Sequence, residues 1–172
     1  MHVLVLGGTG EARDLAARLA AWPGLRVTLS LAGRTRVPLL PACPVRVGGF
    51  GGADGLAAWL RAERVAVLAD ATHPFARRIS ANAAQASADA GVPLVVLSRP
   101  PWTAVPGDRW TRVADMAAAA LAIGGPPRRV LLTIGRQEVA AFRDAPQHRY
   151  LVRSIEPVAP GDLPPHAAAI LP

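Results

Sequence analysis

Four consecutive apolar residues, Val3-Leu4-Val5-Leu6, run directly into Gly7-Gly8-Thr9-Gly10, and the chain then changes period. Over Glu11–Leu19, Ala12, Leu15, Ala16 and Leu19 share one face of a helix. A buried strand, a glycine turn and a helix in that order build the first unit of a parallel sheet. The arrangement also aims backbone N–H groups at a diphosphate. The helix N-terminus adds a partial positive charge there. Read from Gly8, the chain gives G-T-G-E-A-R against the dinucleotide pattern G-x-G-x-x-G/A, so Arg13 stands at the third glycine position. A tight turn that holds no ligand is the alternative at this stage.

The remainder alternates strand and helix. Strands are predicted over 2–6, 26–31, 45–47, 65–69, 94–97, 130–134, 150–155 and 167–171. Helices are predicted over 11–21, 54–63, 77–90, 115–122 and from Gly135 to about Phe142. Gly48-Gly49-Phe50-Gly51-Gly52 reads as a flexible joint. Residues 1–104 form one doubly wound α/β unit on this reading. After the composition shift at Val105-Pro106-Gly107-Asp108, residues 110–172 begin a second, similar unit with too few elements to close a full sheet. The expected fold class is therefore α/β with two parallel-sheet domains, the second incomplete in this chain.

Absences narrow the chemistry. Lysine does not occur among the 172 residues, so all 19 basic side chains are arginine. That removes a P-loop lysine, Schiff-base catalysis and PLP-lysine chemistry. The one tyrosine, Tyr150, lacks the lysine partner of short-chain dehydrogenases. No Gly-x-Ser-x-Gly elbow and no Cys/His metal spacing occurs. Cys43 is the single cysteine, no apolar run approaches the ~18 residues of a membrane span, and no signal-peptide pattern opens the chain. The expectation is a cytoplasmic protein without a metal or a membrane partner. A net charge of +7 asks for an anionic partner or for solvated surface arginines. The arginines are scattered and aromatics are few, so nucleic acid is not expected. Guanidinium groups suit carboxylates and phosphates.

Ligands of an open parallel sheet bind beyond the C-terminal ends of its strands. The loops leaving those ends are 7–10, 33–35, 72–76 and 98–102, with 133–137 in the second unit. No acidic residue lies between Asp14 and Asp54, where an NAD site places its ribose ligand. Arg34, flanked by Gly33 and Thr35, stands there instead and pairs with a 2′-phosphate, which favours NADPH over NADH; a plain surface arginine is the alternative. His73, in Thr72-His73-Pro74-Phe75-Ala76, is the candidate catalytic or positioning group; a histidine that only satisfies the backbone is its alternative. Arg99, Arg136 and Arg153 lie at or near strand ends and are candidates for substrate carboxylates.

Five stretches occur in one order: Gly7-Gly8-Thr9-Gly10-Glu11-Ala12-Arg13, Ala32-Gly33-Arg34-Thr35, Asp70-Ala71-Thr72-His73-Pro74-Phe75-Ala76, Arg99-Pro100-Pro101-Trp102 and Thr133-Ile134-Gly135-Arg136-Gln137-Glu138. Together they resemble the precorrin-6A reductase (CobK/CbiJ) family of cobalamin biosynthesis, over nearly the whole chain. The resemblance implies two Rossmann-like domains with the active site between them. It implies NADPH-dependent reduction of precorrin-6A to precorrin-6B, with hydride transfer to the C18–C19 double bond of an anionic tetrapyrrole. Partners among neighbouring enzymes of that pathway belong to the same expectation. Cofactor contacts are implied for Gly7, Gly8, Thr9, Gly10, Glu11, Ala12, Gly33, Arg34, Thr35, Thr72, His73, Pro74 and Phe75. Substrate contacts are expected from Arg99, Trp102, Gly135, Arg136, Gln137 and Arg153. Family members are longer, with a further βαβ portion where this chain stops. Other readings stay open: a reductase of another planar anionic substrate, a non-catalytic NADP(H)-binding sensor, or a charge-driven nucleic-acid binder.

Overall fold

A computed structural model describes residues 1–33 and 41–171. Two compact units divide the chain, Met1–Pro101 and Trp102–Pro172.

In the first unit, strands β1 (His2–Leu6), β2 (Arg26–Leu31), β3 (Val45–Val47), β4 (Val67–Asp70) and β5 (Leu94–Val96) form one sheet in the order β3-β2-β1-β4-β5. Every pairing is parallel. Helices α1 (Gly10–Ala20), α2 (Gly52–Ala62) and α3 (Arg77–Ala90) complete it. The strand order reverses between β1 and β4, which is the switch point where doubly wound sheets open a crevice. β1 is buried along its whole length, as a central parallel strand must be. Its Val3 and Val5 pack with Ala12 and Ala16 of α1, while Leu4 and Leu6 pack with Leu56 and Leu60 of α2 and Ala83 and Ala86 of α3. Alternate side chains of one strand thus glue opposite layers, and the small alanines let the helices lie close.

The second unit has strands β6 (Arg129–Leu132), β7 (Arg149–Arg153) and β8 (Ala167–Ile170), paired in parallel in that order, and helix α4 (Met116–Ala122). One face of β7 turns Tyr150 and Val152 into a core with Leu132, Val139 and Phe142. The other face leaves Arg149, Leu151 and Arg153 exposed, with Leu131 of β6 exposed beside them. The register sets Arg129 directly beside Arg149 on that face. No helix among the described residues is long and apolar enough to cross a membrane.

Three local expectations change. The helix predicted from Gly135 to Phe142 is a turn followed by a 3₁₀ helix over Val139–Phe142. Glu138 N donates to Gly135 O at 2.8 Å, and Pro146 follows too soon for a longer helix because it disfavours the helical region at Ala145. The joint Gly48–Gly52 is clamped rather than free: the Arg46 guanidinium donates to the carbonyls of Gly48 and Gly49, each at 2.6 Å, and lies 3.8 Å over the Phe50 ring. The strand expected from Val65 begins at Val67, because Val65 closes α2.

That closure is a Schellman motif: Val65 N donates to Leu60 O and Arg64 N to Arg61 O. α3 ends the same way, with Val92 N on Ser87 O and Gly91 N on Ala88 O. The left-handed position is glycine in one case (Gly91, φ 66°) and arginine in the other (Arg64, φ 49°). An L side chain in that region costs roughly 1–2 kcal/mol. Replacing Arg64→Gly is therefore expected to raise stability by about 0.5–1 kcal/mol after the added unfolded-state entropy, and Gly91→Ala to lower it by about 1 kcal/mol. Denaturant midpoints of the two variants check both signs.

Candidate active-site cleft

The cleft is built at the C-terminal edge of the first sheet. Gly7 leaves β1 with its N–H on Ser30 O at 2.9 Å, and a Cβ there would stand 2.6 Å from Leu29 Cδ1. A side chain there would have to displace the buried Leu29 methyl, so glycine lets the turn sit this close to β2 without repacking. Gly8 then turns at φ +121°. Thr9 is the N-cap of α1: its hydroxyl accepts from Ala12 N at 3.1 Å and donates to Ala71 O at 2.9 Å, across the switch point. The Gly8, Thr9 and Gly10 amides have no partner among the described residues. They fit a diphosphate at a helix N-terminus.

On the far side, β4 ends in Asp70, which is buried. Its Oδ1 accepts from Thr72 N at 3.1 Å and from Thr72 Oγ1 at 2.6 Å, so the aspartate shapes the 71–76 loop. β5 contributes Leu97, whose N–H donates to Asp70 O at 2.8 Å, and then Ser98, Arg99 and Pro100. A cleft of about 250 Å³ is lined by Thr9, Glu11, Ala71, Thr72, Pro74, Leu97, Ser98, Arg99 and Pro100. An adjoining hollow of about 210 Å³ shares Thr72, Pro74, Leu97 and Ser98 and adds Asp70, His73, Ser80 and Val96.

Three of the four loops expected to converge in the first unit therefore meet here. Of the loop after β2, Gly33 is described, at φ 74°, and it is not among the lining residues; Arg34 and Thr35 lie outside the described residues. Ala12 belongs to the core: its side chain is fully buried and its amide is taken by Thr9. His73 is exposed, its Nδ1 accepts from Phe75 N at 3.3 Å, and its ring lies 5.1 Å from the Phe75 ring. That contact places the proton of the neutral ring on Nε2. Phe75 is 84% exposed and, in the second unit, Trp102 is 88% exposed. Gly135, Arg136 and Gln137 follow β6, and Arg153 ends β7; all four are exposed.

Asp70, Ser80 and Ser98 were not among the candidates from sequence. Asp70 had a signal, an acidic residue at a strand end two positions before a threonine; Ser98 opens the loop 98–102 expected at the site, and Ser80 had no signal. Arg99 and Glu11 lie 88 residues apart and form a two-point ion pair, Nη2 to Oε2 at 2.7 Å and Nε to Oε1 at 2.6 Å. The Arg99 guanidinium, followed by the residue's own amide, holds the Glu11 carboxyl below its ordinary value, and Glu11 in turn raises that of Arg99. A carboxyl lowered by folding stabilises above its unfolded value, and the gain disappears as pH falls through its folded value. The melting-temperature difference between the parent and Glu11→Gln is thus expected to be present at neutral pH and to vanish in acid, which melts across a pH series read directly. Separately, Gly7→Ala is expected to cost about 1–3 kcal/mol by overpacking against Leu29, with partial recovery in Gly7→Ala/Leu29→Val, measured by chemical denaturation.

Comparison with known proteins adds the family. The family model described as precorrin-6x reductase CbiJ/CobK matches residues 2–170. A precorrin-6A reductase of Sinorhizobium sp is 53% identical over 99% of this chain and 65% of its own length. One from Rhodococcus erythropolis is 52% identical over 99% of the chain and 68% of its own length. A solved structure of CobK precorrin-6A reductase superposes with a TM-score of 0.92 at 49% identity, covering 99% of this chain and 68% of that one. The chain spans about two thirds of the length of these relatives. With the parallel sheet, the capped glycine turn and sequence identity agreeing from one end of the chain to the other, this chain belongs to the precorrin-6x reductase CbiJ/CobK family.

Proposed function

We propose that the protein to which this chain belongs reduces precorrin-6A to precorrin-6B with NADPH, and that the cleft beside the glycine turn takes the cofactor. The observation that carries this reading is the family match over residues 2–170. The partner-free amides of Gly8, Thr9 and Gly10 support it, because they suit a diphosphate. When bound, the nicotinamide would supply the hydride for one carbon of the C18–C19 double bond, and a proton from solvent would complete the reduction at the other.

The chain's own residues orient and shield. Gly7 lets the turn approach the ligand, Thr9 fixes the first turn of α1, and Gly33, Arg34 and Thr35 receive the 2′-phosphate. Thr72, His73, Pro74 and Phe75 lie beside the nicotinamide, with Nε2 of His73 free to donate to cofactor or substrate. Asp70 holds that loop in shape. Arg136 and Arg153 are exposed guanidinium groups for the carboxylates of the anionic macrocycle, and Trp102, Gly135 and Gln137 contribute shape and hydrogen bonds. Hydride transfer asks for placement and for a shielded site more than for an acid–base pair. Work in the cytoplasm and contact with neighbouring enzymes of the pathway belong to the same proposal.

Anaerobic fluorescence titration tests the cofactor half. NADPH is expected to bind at least about tenfold more tightly than NADH, as one or two charge-assisted hydrogen bonds to a phosphate require, and Arg34→Ala is expected to erase the difference. Equal binding of the two cofactors would overturn the assignment of Arg34. Consumption of precorrin-6A with oxidation of NADPH tests the reaction; binding without oxidation would make the protein a nucleotide-binding module instead.

A further inference from the structure

Glu11 is an unexpected residue in an anion site. It occupies the second position of α1, next to the partner-free amides of the glycine turn, and it lines the cleft. A negative charge so close to a bound diphosphate repels it. Yet the carboxylate is not loose: Arg99, from the segment after β5, grips both of its oxygens. Its own amide also favours its charged form. Both side chains are about half exposed, so neither is locked in place by packing. The Arg99 guanidinium also lines the cleft.

We propose that the Glu11 carboxylate holds the place of the cofactor's diphosphate at the α1 N-terminus, and that Arg99 passes from Glu11 to the phosphate oxygens when the dinucleotide binds. This rests on the reading that the glycine turn takes a dinucleotide. In the free protein the pair is neutral and spares the cleft an unpaired guanidinium. On binding, Arg99 exchanges one oxyanion for another in nearly the same fork geometry. The cofactor's affinity is then a difference between two similar contacts, and Glu11 sets it as an internal competitor. Arg99 is on this account a cofactor ligand, whereas its sequence position alone suggested a substrate carboxylate.

Charge bookkeeping gives the test a sign that a merely structural ion pair would not. NADP⁺ is titrated calorimetrically into the parent chain, Glu11→Gln, Arg99→Gln and the double variant, with melts of each ligand-free protein to establish folding. Glu11→Gln removes the competitor and is expected to bind NADP⁺ about two- to fivefold more tightly, the scale of one charge at a helix end. Arg99→Gln leaves the carboxylate alone in the site and is expected to bind more weakly by at least the same factor. The double variant is expected to return towards the parent, with a shallower dependence on salt. If Glu11→Gln binds NADP⁺ no more tightly than the parent, or more weakly, the proposal is overturned while the cofactor reading stands. Failure of every variant, parent included, to bind NADP⁺ would overturn the cofactor reading and this proposal with it.

Discussion

The Thr9 hydroxyl is the contact on which the cleft depends. One oxygen atom caps α1 through Ala12 N and, by donating to Ala71 O, ties the first loop of the sheet to the loop leaving β4. The two loops belong to neighbouring strands on either side of the point where the strand order reverses. Without that tie, the crevice would be two independent loop tips. With it, the capped helix end, the Asp70-shaped loop and the segment after β5 face one another across a fixed gap. The cap also settles which amides are used: Ala12 N is satisfied internally, and those of Gly8 to Gly10 have no partner among the described residues.

Much of this was legible in the sequence because it rests on local pattern. The apolar run of β1, the glycine turn, the helical face of α1 and the alternation that follows are all short-range features, and they place the loops at one edge of a parallel sheet. What escaped was set by contacts distant in sequence or by backbone closure. Arg99 meets Glu11 across 88 positions, and no local pattern announces that an arginine will prefer a glutamate to solvent. Val65 reads as the start of a strand because it is apolar, yet its amide closes α2 on Leu60. Five residues rich in glycine read as a hinge, but a guanidinium two positions before the first of them holds the carbonyls. The short helix after Gly135 reads as a longer one because periodicity does not register the effect of Pro146 on the residue before it.

The candidate site shows the same division. Residues at the C-terminal ends of strands were found by topology, whereas Asp70 acts by shaping the loop that carries others. A buried carboxylate whose oxygen takes a backbone N–H and a hydroxyl stiffens the turn without needing to face the ligand. Such a group braces the start of a loop that carries an exposed histidine and an exposed phenylalanine.

The outer face of the second sheet carries a different consequence. Arg129 and Arg149 stand in register on adjacent parallel strands, and like charges side by side weaken a sheet. The first unit carries ion pairs between opposite charges, Arg26 with Glu63 and Arg99 with Glu11. Added salt screens a local repulsion at the Arg129–Arg149 pair and local attractions at these ion pairs. Ionic strength thus acts on separate charge pairs in each unit, and a single melting temperature for the whole chain would report only their sum.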